Sequence, residues 1–452
     1  MRSYGEYKGM NLPWLKAIPA HWEIRRNKNI FTEMKEEVGE RSSEYTLLSL
    51  TLNGITPRDM DAGGKFPSDF GKYKVIKRGY MVFCLFDVDE TPRTVGLSNF
   101  DGMLTGAYTI MDVNNINSRY ILYYYLALDN GKLLKPLYTG LRKTINVNTF
   151  QSTKIPVPPR AEQDQIVRFL DWKASMVNRL INTKRKEIKT IDEMKRSMIS
   201  YAVTRGIEPN APMKFSGVKL LGDIPKHWEI ASLVSIAKEK SICDCTDLQL
   251  LSVYLNEGVI PFMQKEEKRT NATSKDLSKY QRVDPGDFVL NNQQAWRGSV
   301  GVSFDTGIVS PAYIVLQMDD TLDREYANYL LRSRGMVDQY LVISRGVGSI
   351  QRNIYWSSLK RVIVPVPPKE EQERIVTYLK ETAIKMQNAI QYLTKEVETL
   401  EEYKTKLISD VVTGKIDVRN ITVPEYEYVE DTADDGCEEE SEAKEGFYGE
   451  EE

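Results

Sequence analysis

Val364-Pro365-Val366-Pro367-Pro368-Lys369-Glu370-Glu371-Gln372 decides how this chain is organised, because an unusually long amphipathic run follows it. Its twin lies 209 residues earlier, as Ile155-Pro156-Val157-Pro158-Pro159-Arg160-Ala161-Glu162-Gln163. Two adjacent prolines favour an extended entry and cannot lie inside a helix, and each pair precedes a stretch free of glycine and proline. In the second copy apolar residues recur at Val376, Leu379, Ala383, Met386, Ile390, Leu393, Val397, Leu400, Leu407 and Val411, interrupted by Lys404. In the first copy they fall at Val167, Leu170, Ala174, Val177, Ile181, Ile188, Ile191, Met198 and Ala202, interrupted by Lys184. A seam of period 3.5 sustained over several heptads is the mark of a coiled coil. Two seams in one chain pair most simply with each other, as an antiparallel coiled coil of rods about 54 Å long at 1.5 Å per residue.

The repeat reaches well beyond the helices. Ile18-Pro19-Ala20-His21-Trp22-Glu23-Ile24 matches Ile224-Pro225-Lys226-His227-Trp228-Glu229-Ile230, and Tyr73 to Val82 aligns with Tyr280 to Val289 through a shared turn at Gly79 and Gly286. A period near 207 residues is far too long for a solenoid and signals a duplicated domain. Within each copy, short β-rich runs such as Tyr80 to Leu85 and Asp287 to Leu290 are followed by helical pieces at Ser118 to Leu128 and Arg324 to Arg332. The expected architecture is α+β. Residues 1–156 form a first globular domain, 157–206 a first long helix with its connector, 207–365 a second globular domain, 366–416 a second long helix, and 417–452 an acidic, disordered tail.

Length and composition allow two or three domains with real cores. The net charge of −3 conceals an asymmetry: residues 425–452 carry −13, so the rest of the chain carries +10. A moderately basic body suits an anionic partner, whereas a segment so charged and so poor in core residues does not fold alone. The longest apolar run, Tyr120 to Leu128, is too short to span a bilayer, and no signal peptide is visible. Cys84, Cys243, Cys245 and Cys437 form no paired framework and read as reduced cytoplasmic thiols rather than metal ligands.

Catalytic material is scarce. The only histidines, His21 and His227, occupy equivalent repeat positions and read as parts of a structural corner in which the tryptophan packs and the histidine caps. No phosphate-binding loop for ATP occurs, and Gly346-Val347-Gly348 is a lone Gly-x-Gly outside a strand-to-helix setting. Neither catalytic residues nor a metal site are expected. What recurs instead is polar, basic and aromatic loop chemistry. Asn292, Gln293, Trp296 and Arg297 offer amides able to read adenine edges and a guanidinium suited to guanine or phosphate. Arg345, Gln351, Arg352 and Asn353 lie in a second loop, whose counterpart in the first half carries Arg142, Lys143 and Asn146. A basic loop at the same place in both halves points to DNA.

With two Ile-Pro-x-His-Trp-Glu openings and two Pro-Val-Pro-Pro-x-x-Glu-Gln-x-x-Ile-Val helices, the chain resembles the specificity subunit of type I restriction–modification enzymes from about residue 12 to 420. The resemblance implies a non-catalytic subunit with two target-recognition domains that read a bipartite sequence in double-stranded DNA, spaced by the helices. It also implies two methyltransferase subunits and motor-nuclease restriction subunits as partners, with S-adenosylmethionine, ATP and Mg²⁺ bound there and no cofactor here. A methyltransferase-only complex, or a coiled-coil scaffold that does not bind DNA, would present the same broad pattern. The acidic tail is not a feature expected of that family.

Overall fold

The computed structural model describes residues 2–58, 70–138, 143–255, 257–262, 276–347 and 351–432. The chain divides into two compact units, and neither follows the linear order expected from the repeat. One comprises Met1–Lys186 with Leu393–Asp435, and the other takes in Glu187–Tyr392. Each long helix, Arg160–Arg205 and Lys369–Val412, is thereby shared, so every unit holds the start of its own helix and the end of the other.

In the first unit a four-stranded antiparallel sheet runs in the order Phe31–Met34, Thr109–Val113, Met81–Phe83, Val95–Leu97. Its aromatic core of Phe31, Phe83, Tyr125 and Phe150 is continuous with Trp22 and with Val411, Val412 and Val418 from the far end of the chain. The second unit repeats the plan with Ala237–Glu239, Tyr313–Met318, Phe288–Asn291 and Val300–Val302. There Trp228, Phe288, Tyr326 and Tyr340 join Ala202 and Val203 of the first long helix and Ile375, Val376 and Leu379 of the second. The predicted glycine turn is present in both copies, with Gly79 at φ +90° and Gly286 at φ +98°, a region that side chains bearing a Cβ rarely enter.

The two sequence signatures meet at one joint per unit. The strand leading into Pro158-Pro159 pairs with the strand leaving the tryptophan, Pro156 opposite Ile24 and Val157 opposite Glu23. The same register joins Pro365 to Ile230 and Val366 to Glu229. The first helical turn then delivers a buried Glu-Gln pair. Glu162 receives His21 Nε2 at 2.7 Å, Trp22 Nε1 at 3.0 Å and the Tyr4 hydroxyl at 2.6 Å. Gln163 accepts the Asn117 amide at 2.8 Å and donates to the Pro158 carbonyl, while Asn117 Oδ1 caps helix Ser118–Asn130. Glu371 meets His227 at 2.7 Å, and Gln372 accepts the Asp323 amide at 2.6 Å. Thus the corner expected around His-Trp is real, but its histidine binds a helix carboxylate instead of capping. A carboxylate in a first helical turn also sits favourably in the helix dipole.

Each joint closes on the end of the other long helix. Gly414 has φ +76°, and a Cβ there would lie 2.3 Å from Pro19 Cδ and 3.2 Å from the Trp22 ring. Gly206, at φ +74°, meets Trp228 and Glu371 in the same way. Inside the first unit the helices pair antiparallel, with Val177 and Ile181 against Val397 and Leu400. Lys184, the break in the first seam, forms an ion pair with Glu396 at 3.1 Å, one turn from Leu393 of the second seam.

The expectation of a disordered tail from residue 417 is corrected for residues 417–432. Asp417 N bonds to the Arg2 carbonyl, and Ile421 and Val423 pack on the first core. Beyond them the chain lies along the first long helix as a strap. Ser175 Oγ, Asn178 Nδ2 and Asn182 Nδ2 donate to the carbonyls of Glu427, Val429 and Glu430 at 2.9–3.0 Å. Asp431 ends this ladder between Arg185 and Lys404, each at 2.7 Å. Composition hid this because side chains of the helix supply most of the donors, with the Val429 amide of the strap donating back to Ser175 Oγ at 2.8 Å. Burial pushes the Asp431 carboxyl up, but bonding and charge from Lys404 and then Arg185 outweigh it and leave it below the usual carboxylate range. The acidic residues after 432 lie outside the described residues.

Glu162→Ala strands the buried Tyr4 and Trp22 donors, at about 1–3 kcal/mol for each bond left unmade, so its melting temperature should fall well below that of Glu23→Ala, an exposed control. Truncation after Asn420 should lower the melting temperature by removing Ile421, Val423 and the strap, whereas truncation after Thr432 should not. Because the folded Asp431 pKa is depressed, its contribution is present above about pH 4 and disappears as pH falls through the folded value. Hydrogen-exchange protection of the strap, measured relative to the intrinsic exchange rate at each pH, should fall over that acidic range and should stay constant in Asp431→Asn.

Candidate nucleic-acid interface

In the second unit the strand Phe288–Asn291 runs off the sheet into a tight turn. Asn291 Oδ1 accepts the Gln293 amide at 3.1 Å, buried Ala295 anchors a single 3-10 turn through Arg297, and Gly298 closes it at φ +105°. The Trp296 ring is held by its own Nε1, which donates to the Gln293 carbonyl at 2.8 Å. Two guanidiniums lie over that ring, Arg297 with its Cζ at 4.7 Å from the centroid and Arg352 at 5.8 Å. Such stacking leaves the in-plane donors of an arginine directed outward from the ring.

Arg352 comes from a hairpin of Arg345–Val347 and Gln351–Asn353, in which Arg345 pairs with Asn353. Its Nη1 bonds to Ser344 Oγ at 3.2 Å, and the hairpin is tied to the turn where the Ile354 amide donates to the Asn292 carbonyl at 3.0 Å. Eight predicted residues, Asn292, Gln293, Trp296, Arg297, Arg345, Gln351, Arg352 and Asn353, therefore come together from two segments some fifty residues apart. Asn292 Oδ1 is buried and has no hydrogen-bond partner among the described residues.

The first unit makes the same joint with different chemistry. The Ile145 amide donates to the Leu85 carbonyl at 2.7 Å, in the place of the Ile354–Asn292 bond. Of the residues predicted here, Arg142 lies outside the described residues. Lys143, at φ +44°, places its ammonium 3.2 Å from Glu90 and 3.6 Å from Asp89. Asn146 uses its side-chain oxygen to cap the short helix Val147–Ser152. The loop facing these residues is Leu85 to Arg93, and it carries Asp87, Asp89 and Glu90 where the second unit has amides, tryptophan and arginine. A hydrogen bond from Tyr138, assisted by Lys135 and Lys143, holds the Asp89 carboxyl below the usual range. Sequence reading missed this loop, although extending the alignment of Tyr73–Val82 with Tyr280–Val289 a few residues further would have reached it.

Among the described residues no cluster of histidine, cysteine or carboxylates has the arrangement of a metal site, and no helix is long and apolar enough to cross a membrane. The family model of the type I restriction modification DNA specificity domain matches residues 95–190 and 225–399, more than half of the chain. The chain belongs to that family. It is a specificity subunit, a non-catalytic component of a type I restriction–modification system. A putative type I restriction enzyme MjaX specificity subunit of Methanocaldococcus jannaschii is 26% identical over 427 residues, covering 89% of this chain and 95% of the relative. The MjaVIII specificity subunit of the same organism is 26% identical over 328 residues, covering 68% of this chain and 72% of that one. A chain solved in work on complex assembly and conformational transition of the type I R-M system superposes with a TM-score of 0.57 at 15% identity, covering 88% of this specificity subunit and 99% of the solved chain, a likeness of fold.

A buried acceptor without a donor costs about 1–3 kcal/mol. Asn292→Leu should therefore leave the melting temperature of the specificity subunit unchanged or raise it, whereas Ala295→Asp, at a buried anchor of the same turn, should lower it sharply.

Proposed function

We propose that each unit reads one half of a bipartite target in double-stranded DNA, the second through the Trp296–Arg297 turn with the Arg345–Asn353 hairpin, the first through the loops around Lys143 and Leu85–Arg93. The observation that carries this reading is one fold presenting two chemistries at one place. A structural loop duplicated with its domain has no reason to turn from Trp-Arg to Asp-Glu, whereas a reader of two unlike half-sites does. Amides and arginine suit purine edges, and carboxylates accept from exocyclic amino groups such as that of cytosine. Phosphate contacts supply most of the affinity, and the loops supply discrimination.

In this reading the linear repeat, globular domains 1–156 and 207–365 and helices 157–206 and 366–416, is the genetic unit. The coiled coil of long helices sets the spacer between half-sites and docks two methyltransferase subunits, with restriction subunits joining them. S-adenosylmethionine, ATP and Mg²⁺ are then held by those partners.

Replacing Asn292, Gln293 and Arg297 together with alanine should relax discrimination in one half-site, by about 1–3 kcal/mol for each bidentate hydrogen-bonded pairing with a base edge that the substitution removes. Preference in the other half-site should persist, and affinity for random duplex should fall much less. Binding to duplexes with single-base changes across both half-sites measures this. Equal losses on both sides would defeat the modular reading, and an absence of salt-dependent DNA binding by the unaltered chain would favour a scaffold.

A further inference from the structure

We infer that Arg332, which nothing in its local sequence singles out, is a DNA-contacting residue of the second unit, donating its guanidinium to an acceptor on the half-site read there. The inference rests on the DNA-reading function above. Arg332 caps the C-terminus of the helix Arg324–Leu331, where its backbone amide donates to the Leu330 carbonyl, and it is half-buried, while its guanidinium forms no hydrogen bond or ion pair among the described residues. Its Nε is buried without a partner there. Burial depresses the pKa of this guanidinium, and the charges of Tyr329 and Glu257 oppose that only in part. Arginine does not escape such a site by losing its proton, so unused buried donors are a standing cost in the free protein.

The side chain is placed by a glycine. A Cβ on Gly258 would lie 3.4 Å from Arg332 Nη1 and 3.5 Å from Cζ, so the guanidinium rests against the bare backbone of a residue at φ +84°. Gly258 pairs with Tyr254 across the tip of the Leu251–Tyr254 and Gly258–Pro261 hairpin. The other flank of that tip, Leu255, is exposed, and its Cδ1 lies 3.6 Å from where a Cβ of Gly298 would stand. Gly298 closes the turn bearing Trp296 and Arg297. The next helix, Arg334–Ile343, packs on that same turn, with Val337 Cγ2 also 3.6 Å from the Gly298 position. Arg332 and the base-reading turn therefore flank one hairpin tip.

The fold does not require an arginine here. In the first unit the helix Ser118–Asn130 begins with the same cap bonded to the same motif glutamine, Asn117 to Gln163 as Asp323 to Gln372. Equal spacing from that cap gives Leu126 in place of Arg332. The hairpin glycine there, Gly54, has nothing within 4 Å of its Cβ position. A helix C-terminus welcomes a cation, which explains why the charge is tolerated, but the guanidinium rests on Gly258 of the hairpin.

The test uses the full chain and a duplex selected from a randomised library by the unaltered protein. Arg332→Gln should lose about tenfold or more in affinity for that duplex. Loss confined to one base pair assigns the acceptor to a base edge. A uniform loss, with the slope of log K against log salt reduced by about one, assigns it to a phosphate, and either outcome supports the inference. Arg332→Lys keeps stem and charge, so it guards against misfolding of the glutamine variant. It should restore binding to a phosphate and fail to restore a forked pairing with a base. Folded variants with unchanged affinity, salt slope and base preference would overturn the inference alone. Failure of the unaltered chain to show salt-dependent binding would overturn the DNA-reading function and the inference with it.

Discussion

A buried carboxylate at the start of each long helix is the constraint on which the rest depends. Glu162 and Glu371 are almost wholly withdrawn from water, and a carboxyl group so placed must be supplied with hydrogen-bond partners. The histidine beside each tryptophan of the repeated corner supplies one of them. In the first unit the tryptophan itself and Tyr4 supply two more, and the tyrosine, buried against the carboxylate, has its pKa driven far upward. The second joint is less completely paired, since Trp228 Nε1 has no partner among the described residues. Through these bonds the helix start, the strand after the tryptophan and the cap of the neighbouring helix become one rigid piece in each unit.

That joint explains how the loops proposed to read DNA can differ between the units without endangering the fold. The joint is built around residues repeated in both halves, His21 and His227, Trp22 and Trp228, Glu162 and Glu371, Gln163 and Gln372, while the loops hang from the ends of sheet strands. Val88 and Ala295 are the buried anchors of the two turns, and the amides of Ile145 and Ile354 pin the second segment to them. One unit carries an aromatic ring under two guanidiniums, the other carboxylates neutralised by lysine.

The strap adds a feature that the duplication does not provide. Its ladder of Ser175, Asn178, Asn182 and Arg185 has Ile384, Gln387, Gln391 and Thr394 at the matching positions of the second helix, where Ile384 stands exposed. The acidic character of residues 425–432 finds its use there, in Asp431 between a lysine and an arginine that would otherwise repel each other. Charge composition describes such a segment as solvated because it records nothing of the partner.

By itself the sequence determined the duplication, the two long helices, the glycine turns and the family, since all of these are written in local spacing: prolines that stop, glycines that turn, a seam of period 3.5. The two short loops of the second unit that the proposal assigns to base reading were also legible as clusters of amides and arginines. What only the tertiary structure decided is how distant segments complete each other. Gly414 closes on Trp22 across nearly four hundred residues, so the first unit is assembled from two distant segments rather than a continuous half. Asn146 and Lys143 look like readers in one dimension, and become a helix cap and an ion-pair partner once Val147 and Glu90 are beside them. Arg332 carries no local signal at all, for an arginine at a helix end is ordinary until the fold lays it on Gly258 with its donors unused. Spacing along a chain encodes elements, whereas the partner of a charge or a hydrogen bond exists only after those elements have packed.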